Sequence, residues 1–257
     1  MKQYIVDAFT DKIFCGNQAA VCVLDQWLSE ELMMNITREN NFSETAFTVK
    51  TKDGYDLRWF TPGGEINLCG HATLATSYVL FRFYEPDLEQ IIYHTMSGDL
   101  FVSRKDDYIM MDFPIYECKE VPVTEQMVAV MGAAPEKTFL DRDLLLVYDD
   151  ERVIRGLQPD FEAMRLLDGS GVGVTAPGIE YDCVSRFFAP KLKVNEDPVT
   201  GSVHCMIVPY WAERLGKHNI RAYQASERGG ELFCELNRDR VIIAGKAALY
   251  AVSELNL

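Results

Sequence analysis

Arg58-Trp59-Phe60-Thr61-Pro62 returns 128 positions later (58 to 186) as Arg186-Phe187-Phe188-Ala189-Pro190. In each place a short polar stretch leads to a glycine that opens an uncharged run: Cys69-Gly70-His71-Ala72-Thr73 in the first, Thr200-Gly201-Ser202-Val203-His204 in the second. Downstream, Gly98-Asp99-Leu100-Phe101-Val102 matches Gly230-Glu231-Leu232-Phe233-Cys234, and upstream Ser43-Glu44-Thr45-Ala46 aligns with Gly173-Val174-Thr175-Ala176. Four matches in one order, with offsets drifting by a few residues, indicate a duplicated unit of roughly half the chain, the size of an ordinary small domain. The boundary is expected near Tyr116 to Pro122.

Short stretches rich in β-branched and aromatic residues, bounded by Gly, Asp or Pro, predict strands. In the first copy they are Tyr4 to Ala8, Thr45 to Lys50, Tyr55 to Phe60, Ile91 to Met96, Leu100 to Arg104 and Tyr108 to Phe113. The second copy repeats the layout from Leu144 to Ala244, with a helix led by Pro159 and running to Leu167. Ser29-Glu30-Glu31 reads as the capped start of a surface helix. The uncharged runs Ile66 to Phe81 and Pro198 to Ala212 are shorter than the ~20 residues that cross a bilayer. They read instead as helices apolar all round and buried in a core. A mostly antiparallel sheet wrapped around its own central helix, built twice in an α+β fold, accommodates both observations.

The 257 residues are 48% hydrophobic and carry a net charge of -14, a globular composition with no basic cluster. Nucleic acid and anionic membranes are excluded as partners, because both need Lys and Arg to replace counterions. Seven irregularly spaced cysteines without a C-x-x-C pair fit reduced thiols. Asp7 and Asp11 fall where a signal peptide needs its apolar core, so a cytoplasmic location is expected.

A helix N-terminus offers free N–H groups and a partial positive charge, each worth about 0.3–2 kcal/mol to an anion. Starts at Gly70 and Gly201, facing one another, would hold a carboxylate through backbone donors; taken singly, either glycine is equally a tight turn into a packed helix. Glu44, flanked by Phe42 and Phe47, is a candidate general acid/base whose pKa such surroundings would raise toward neutrality. It is equally a strand-end surface acid. His71 is placed to hydrogen-bond a substrate or a carboxylate. A thiol at Cys69, beside a helix start, would have a lowered pKa. Zinc is not expected, because the Cys and His neighbours do not share a helix face. No nucleotide or hydrolase motif is present, and Gly169-Ser170-Gly171-Val172-Gly173 reads as a loop.

Val6-Asp7-Ala8-Phe9-Thr10, Gly16-Asn17-Gln18-Ala19-Ala20-Val21, Ser43-Glu44-Thr45-Ala46-Phe47, Leu68-Cys69-Gly70-His71-Ala72-Thr73 and Glu196-Asp197-Pro198-Val199-Thr200-Gly201-Ser202 together resemble the phenazine-biosynthesis PhzF-like family. The family is similar in fold to diaminopimelate epimerase and proline racemase, two pseudo-symmetric halves with the site between them. The repeat puts the halves at residues 1–117 and 118–246, with the last strand (about 247–257) free to join either half, the first included. The resemblance implies a homodimer and no cofactor. Glu44 matches the family's acid/base; His71, Asp197, Gly70 and Ser202 match positions lining the same cleft.

The expected activity is a cofactor-independent isomerisation of a small anionic, carboxylate-bearing molecule. Glu44, His71 and Asp197 are the catalytic candidates. Gly70, Ala72, Thr73, Gly201, Ser202 and Val203 are the substrate-binding candidates, and no residue is assigned to a metal. The alternatives are a racemase or epimerase pairing Glu44 with Cys69 or Asp197, and a carboxylate-binding protein without turnover. The second helix start has no thiol, so a two-thiol epimerase is not expected.

Overall fold

The computed structural model describes residues 1–257, and the chain divides into two compact units. The first is Met1–Asp112 with Ala244–Leu257, the second Phe113–Ile243.

The first unit holds β1 (Lys2–Ala8), β2 (Asn17–Leu24), α1 (Glu30–Asn40), β3 (Glu44–Lys50), β4 (Tyr55–Thr61), β5 (Gly64–Ile66), α2 (Gly70–Val79), β6 (Gln90–Thr95), β7 (Gly98–Lys105) and most of β8 (Tyr108–Pro114). The second holds β9 (Lys119–Val121), α3 (Glu125–Met131), β10 (Lys137–Leu140), β11 (Leu144–Val147), α4 (Glu151–Gly156), α5 (Phe161–Met164), β12 (Val172–Pro177), β13 (Cys183–Ala189), β14 (Val194–Asp197), α6 (Gly201–Leu215), β15 (Asn219–Gln224), β16 (Gly230–Asn237) and most of β17 (Arg240–Gly245). The last strand, β18 (Ala247–Glu254), pairs antiparallel with β1 and so belongs to the first unit.

Most pairings are antiparallel; β2 with β3, β4 with β6, β11 with β12 and β13 with β15 are parallel. Parallel β2 and β3 bring Asn17 and Glu44 to the same end of the sheet, with Glu44 opposite Ala19. Helix α2 lies on β1, β2 and β3 and is buried from His71 through Ser77. Helix α6 packs on β15 and β16 and buries Gly201, Val203 through Val208, Trp211 and Ala212. The two uncharged runs are therefore central helices. Helix α1 starts where Ser29 accepts from the Leu32 N–H. Helix α5 is much shorter than the sequence predicts: Asp160 caps it and it ends at Met164.

Pro209 lies inside α6, where it cannot donate to the Cys205 carbonyl four residues earlier. The Tyr116 N–H fills that position at 3.3 Å, so the buried acceptor is satisfied from outside the helix.

The duplication is visible in hydrogen bonds. Arg58 forks onto Glu65 at 2.6 Å through both Nε and Nη2, and Arg186 forks onto Glu196 at 2.7 and 2.9 Å. Thr48 Oγ1 donates to the Asp56 carbonyl at 2.8 Å, and Thr175 Oγ1 to the Val184 carbonyl at 3.0 Å. These bonds correct one sequence alignment. Phe47 opposes Arg58 and Val174 opposes Arg186, so Thr48, not Thr45, is the counterpart of Thr175. The identical Thr-Ala pairs suggested a register three residues away, and an odd slip reverses which face each side chain occupies. In the true register, Glu44 corresponds to Gly171 rather than to Val174. Trp59 opposes Ile66 and Phe187 opposes Asp197, so Asp197 stands where the first unit has Ile66.

Candidate active site

In the first unit, three chain segments converge at the start of α2. Cys69 is the N-cap, in extended conformation, and no side-chain oxygen caps the helix or acid occupies its first turn. His71, in that first turn, is 4% exposed. Its Nε2 lies 3.0 Å from Glu44 Oε2. Both atoms are buried, and neither makes an aligned hydrogen bond, so each keeps directional capacity for a ligand. The other ring nitrogen, Nδ1, is 3.1 Å from Asn17 Nδ2 and 3.6 Å from Cys69 Sγ.

Burial is the largest influence on Glu44 and pushes its pKa up, but the adjacent His71 and the Ser43 hydroxyl outweigh it, leaving the carboxyl below the usual range. The sequence expectation of a pKa raised toward neutrality is thus corrected: the apolar neighbours are present, but so is a proton donor from α2. Cys69 is corrected in the opposite sense. Burial, then the Glu44 charge, raise its thiol despite the helix start, so at neutral pH it is an uncharged S–H.

For His71, burial is again the largest influence and opposes the imidazolium, while Cys69 and Glu44 pull its pKa upward past the ordinary value. The Cys69 pull needs a thiolate, which that buried thiol does not supply near neutrality. What remains is Glu44 acting against burial, with the hydrogen bonds at Nδ1 deciding the ring's protonation.

Glu44, Cys69 and His71 offer O, S and N donors within 4.8 Å of one another. Glu44 approaches Nε2 and Cys69 approaches Nδ1, opposite nitrogens of one ring. A single metal ion would not meet all three without rearrangement, and zinc would also have to displace the thiol proton.

Of the first-turn amides, Gly70, His71 and Ala72 occupy the open positions before the helical ladder begins. The Thr73 N–H donates to the Cys69 carbonyl at 3.2 Å, and Thr73 Oγ1 donates to the same oxygen at 2.6 Å. The Thr73 amide is therefore not an open donor, because the fourth amide after the cap is the first to enter the helical ladder.

In the second unit, Gly201, Ser202 and Val203 form the first turn of α6 behind the N-cap Thr200. Thr200 Oγ1 donates to Asp197 Oδ2. His204 Nδ1 donates to the Thr200 carbonyl at 2.7 Å, the same bond to the cap carbonyl that Thr73 makes in the first unit. Gln224, fully buried, accepts from the Thr200 N–H at 2.8 Å and donates to the Asp197 carbonyl at 2.7 Å. Ser226 donates to the Pro198 carbonyl at 2.8 Å. The segment from Asp197 to Thr200 is thereby held at three points.

Sequence reasoning missed Asn17 and Gln224. Asn17 stood inside a quoted motif without a role, and Gln224 had no signal beyond a strand end. His94, without a partner in the sequence, has its Nδ1 2.8 Å from Asp99.

Two units of matching construction, each with a buried helix whose open start carries the polar side chains, define an isomerase of the epimerase-like fold. The chain belongs to the PhzC-PhzF family of phenazine biosynthesis-like proteins, whose sequence model matches residues 6–252. An uncharacterized isomerase of Pseudomonas aeruginosa is 47% identical over 253 residues, covering 98% of this chain and 97% of that protein. A PhzF-family crystal structure from Enterococcus faecalis superposes with a TM-score of 0.98 at 49% identity, covering 100% of this chain and 99% of that one. A probable proline racemase of Agrobacterium radiobacter, at 10% identity and a TM-score of 0.67 over 100% of this chain and 93% of its own, shares the fold. No helix is long and apolar enough to cross a membrane.

Proposed function

We propose that the protein is a cofactor-independent isomerase that moves a proton between two carbons on one face of a small carboxylate-bearing substrate, with Glu44 as the only acid/base. His71 orients the substrate, and the open amides of Gly70 to Ala72 at the start of α2 receive its carboxylate. The observation that carries this reading is the pair Glu44 Oε2 and His71 Nε2, buried 3.0 Å apart with no aligned hydrogen bond. A carboxylate below its usual pKa is ionised at neutral pH and ready to take a proton. Once protonated, it returns that proton to another carbon of the same molecule. The N–H groups and dipole of that helix start stabilise negative charge that develops on the substrate's oxygens.

Pairing Glu44 with Cys69 as opposed bases is disfavoured, because the two lie together beside one helix start and the thiol holds its proton. A second, opposed base would instead give an epimerase. Turnover in D2O tests the reading: solvent deuterium should appear at the new C–H bond in that part of the product formed after the Glu44 carboxyl has exchanged, the rest carrying the returned proton, and Glu44→Gln should abolish both turnover and incorporation. Full activity in that variant would end the assignment.

A further inference from the structure

Two side chains converge on one ring nitrogen of His71. Asn17 presents its amide nitrogen at 3.1 Å, and Cys69 its sulfur at 3.6 Å, both to Nδ1. Asn17 is 1% exposed, and the backbone that aims it is fixed: it opens β2 opposite Ala8, directly after Gly16 at φ +65. A Cβ at Gly16 would sit 2.1 Å from the Ala8 carbonyl oxygen, so only glycine fits the turn that leads into Asn17.

We infer that Asn17 is a positioning residue that fixes His71 as the neutral tautomer protonated on Nε2, so that the ring offers its one proton toward Glu44 and the substrate. A nitrogen that receives hydrogen bonds keeps its lone pair, so the single ring proton must lie on Nε2. A second proton would place Nδ1–H against the Asn17 NH2 group, and only a flip that turned Asn17 Oδ1 inward would accommodate it. The amide orientation thereby selects between a neutral donor and an imidazolium. The groups facing His71 that titrate are Glu44 from β3 and Cys69 from the cap of α2. With Cys69 an uncharged S–H, only Glu44 favours the second proton, and Asn17 and burial oppose it. The ionised Glu44 then keeps its role as base, while His71 lends a hydrogen bond without competing for the transferred proton.

The catalytic significance rests on Glu44 being the acid/base, but the test does not: it reads the resting protein and needs no substrate. Ring 15N and 1H spectra of histidine-labelled protein, with the His71 signals assigned through their loss in His71→Gln, should show Nε2 protonated and Nδ1 bare at pH 7. In Asn17→Asp a carboxylate faces Nδ1 and stabilises the doubly protonated ring, raising the His71 titration by about one unit or more. A wild-type ring protonated on Nδ1 at pH 7 would overturn the inference, as would a folded Asn17→Asp variant with unchanged titration. Should Asn17→Asp not fold, the wild-type tautomer alone decides.

Discussion

Glu44 Oε2 lies 3.0 Å from His71 Nε2, one atom brought by the first residue of β3 and the other by the first turn of α2. Neither element alone makes the site. The pair places an ionisable carboxylate beside an imidazole that takes up its second proton before the carboxyl does as the pH falls, so that a charged ring then lowers the carboxyl's pKa, and the pH dependence of the reaction follows. Glu44 must be ionised to accept a proton, so the acid limb of kcat/KM belongs to its protonation. The limb should lie below the ~4.3 of an unperturbed glutamate. A limb centred near neutrality would mean that burial, not His71, governs the carboxylate.

His204 gives a stability prediction with the same logic. Burial lowers its pKa to about 4. The unfolded chain takes up this proton near pH ~6.5, so the neutral folded form contributes its full stability above that value and loses it as pH falls toward 4. Urea unfolding at pH 7 and pH 5 should differ by about 2 kcal/mol from this group. In His204→Gln that share of the difference should vanish; an unchanged pH dependence would remove His204 as its source.

Gln224→Leu should be among the costliest polar substitutions in the second unit. It strands the buried Thr200 N–H and removes the donor to the Asp197 carbonyl. Each buried group left unpaired costs about 1–3 kcal/mol. Urea unfolding should show a loss of that order or larger as Asp197 and Thr200 lose their support. A loss under about 0.5 kcal/mol would mean that the network is dispensable.

The duplication, the two central helices and the family motifs were legible because they are carried by local patterns: repeated pentapeptides, uncharged runs and glycines at fixed offsets. Register was not. The Thr-Ala pairs at Thr45 and Thr175 look equivalent as letters, yet the strand pairing makes Thr48 the partner of Thr175. The roles of Asn17 and Gln224 were hidden for a related reason, since each acts on a residue brought by a distant element. The directions of the Glu44 and Cys69 shifts depend on neighbours that the flanking residues do not reveal. Phe42 and Phe47 suggested a raised carboxyl; His71, 27 positions further on (44 to 71), reversed it.

Transfer by a single base has a signature that two bases cannot reproduce. With a substrate deuterated at the carbon that loses its proton, turned over in ordinary water and stopped at low conversion, part of the deuterium should appear at the new C–H position of the product. It is carried there by Glu44 before the carboxyl exchanges with solvent. Product formed at full rate with no deuterium at that position, even in the first few per cent of turnover, together with inversion at a stereocentre, would contradict a single Glu44 acid/base and point to a second, opposed group.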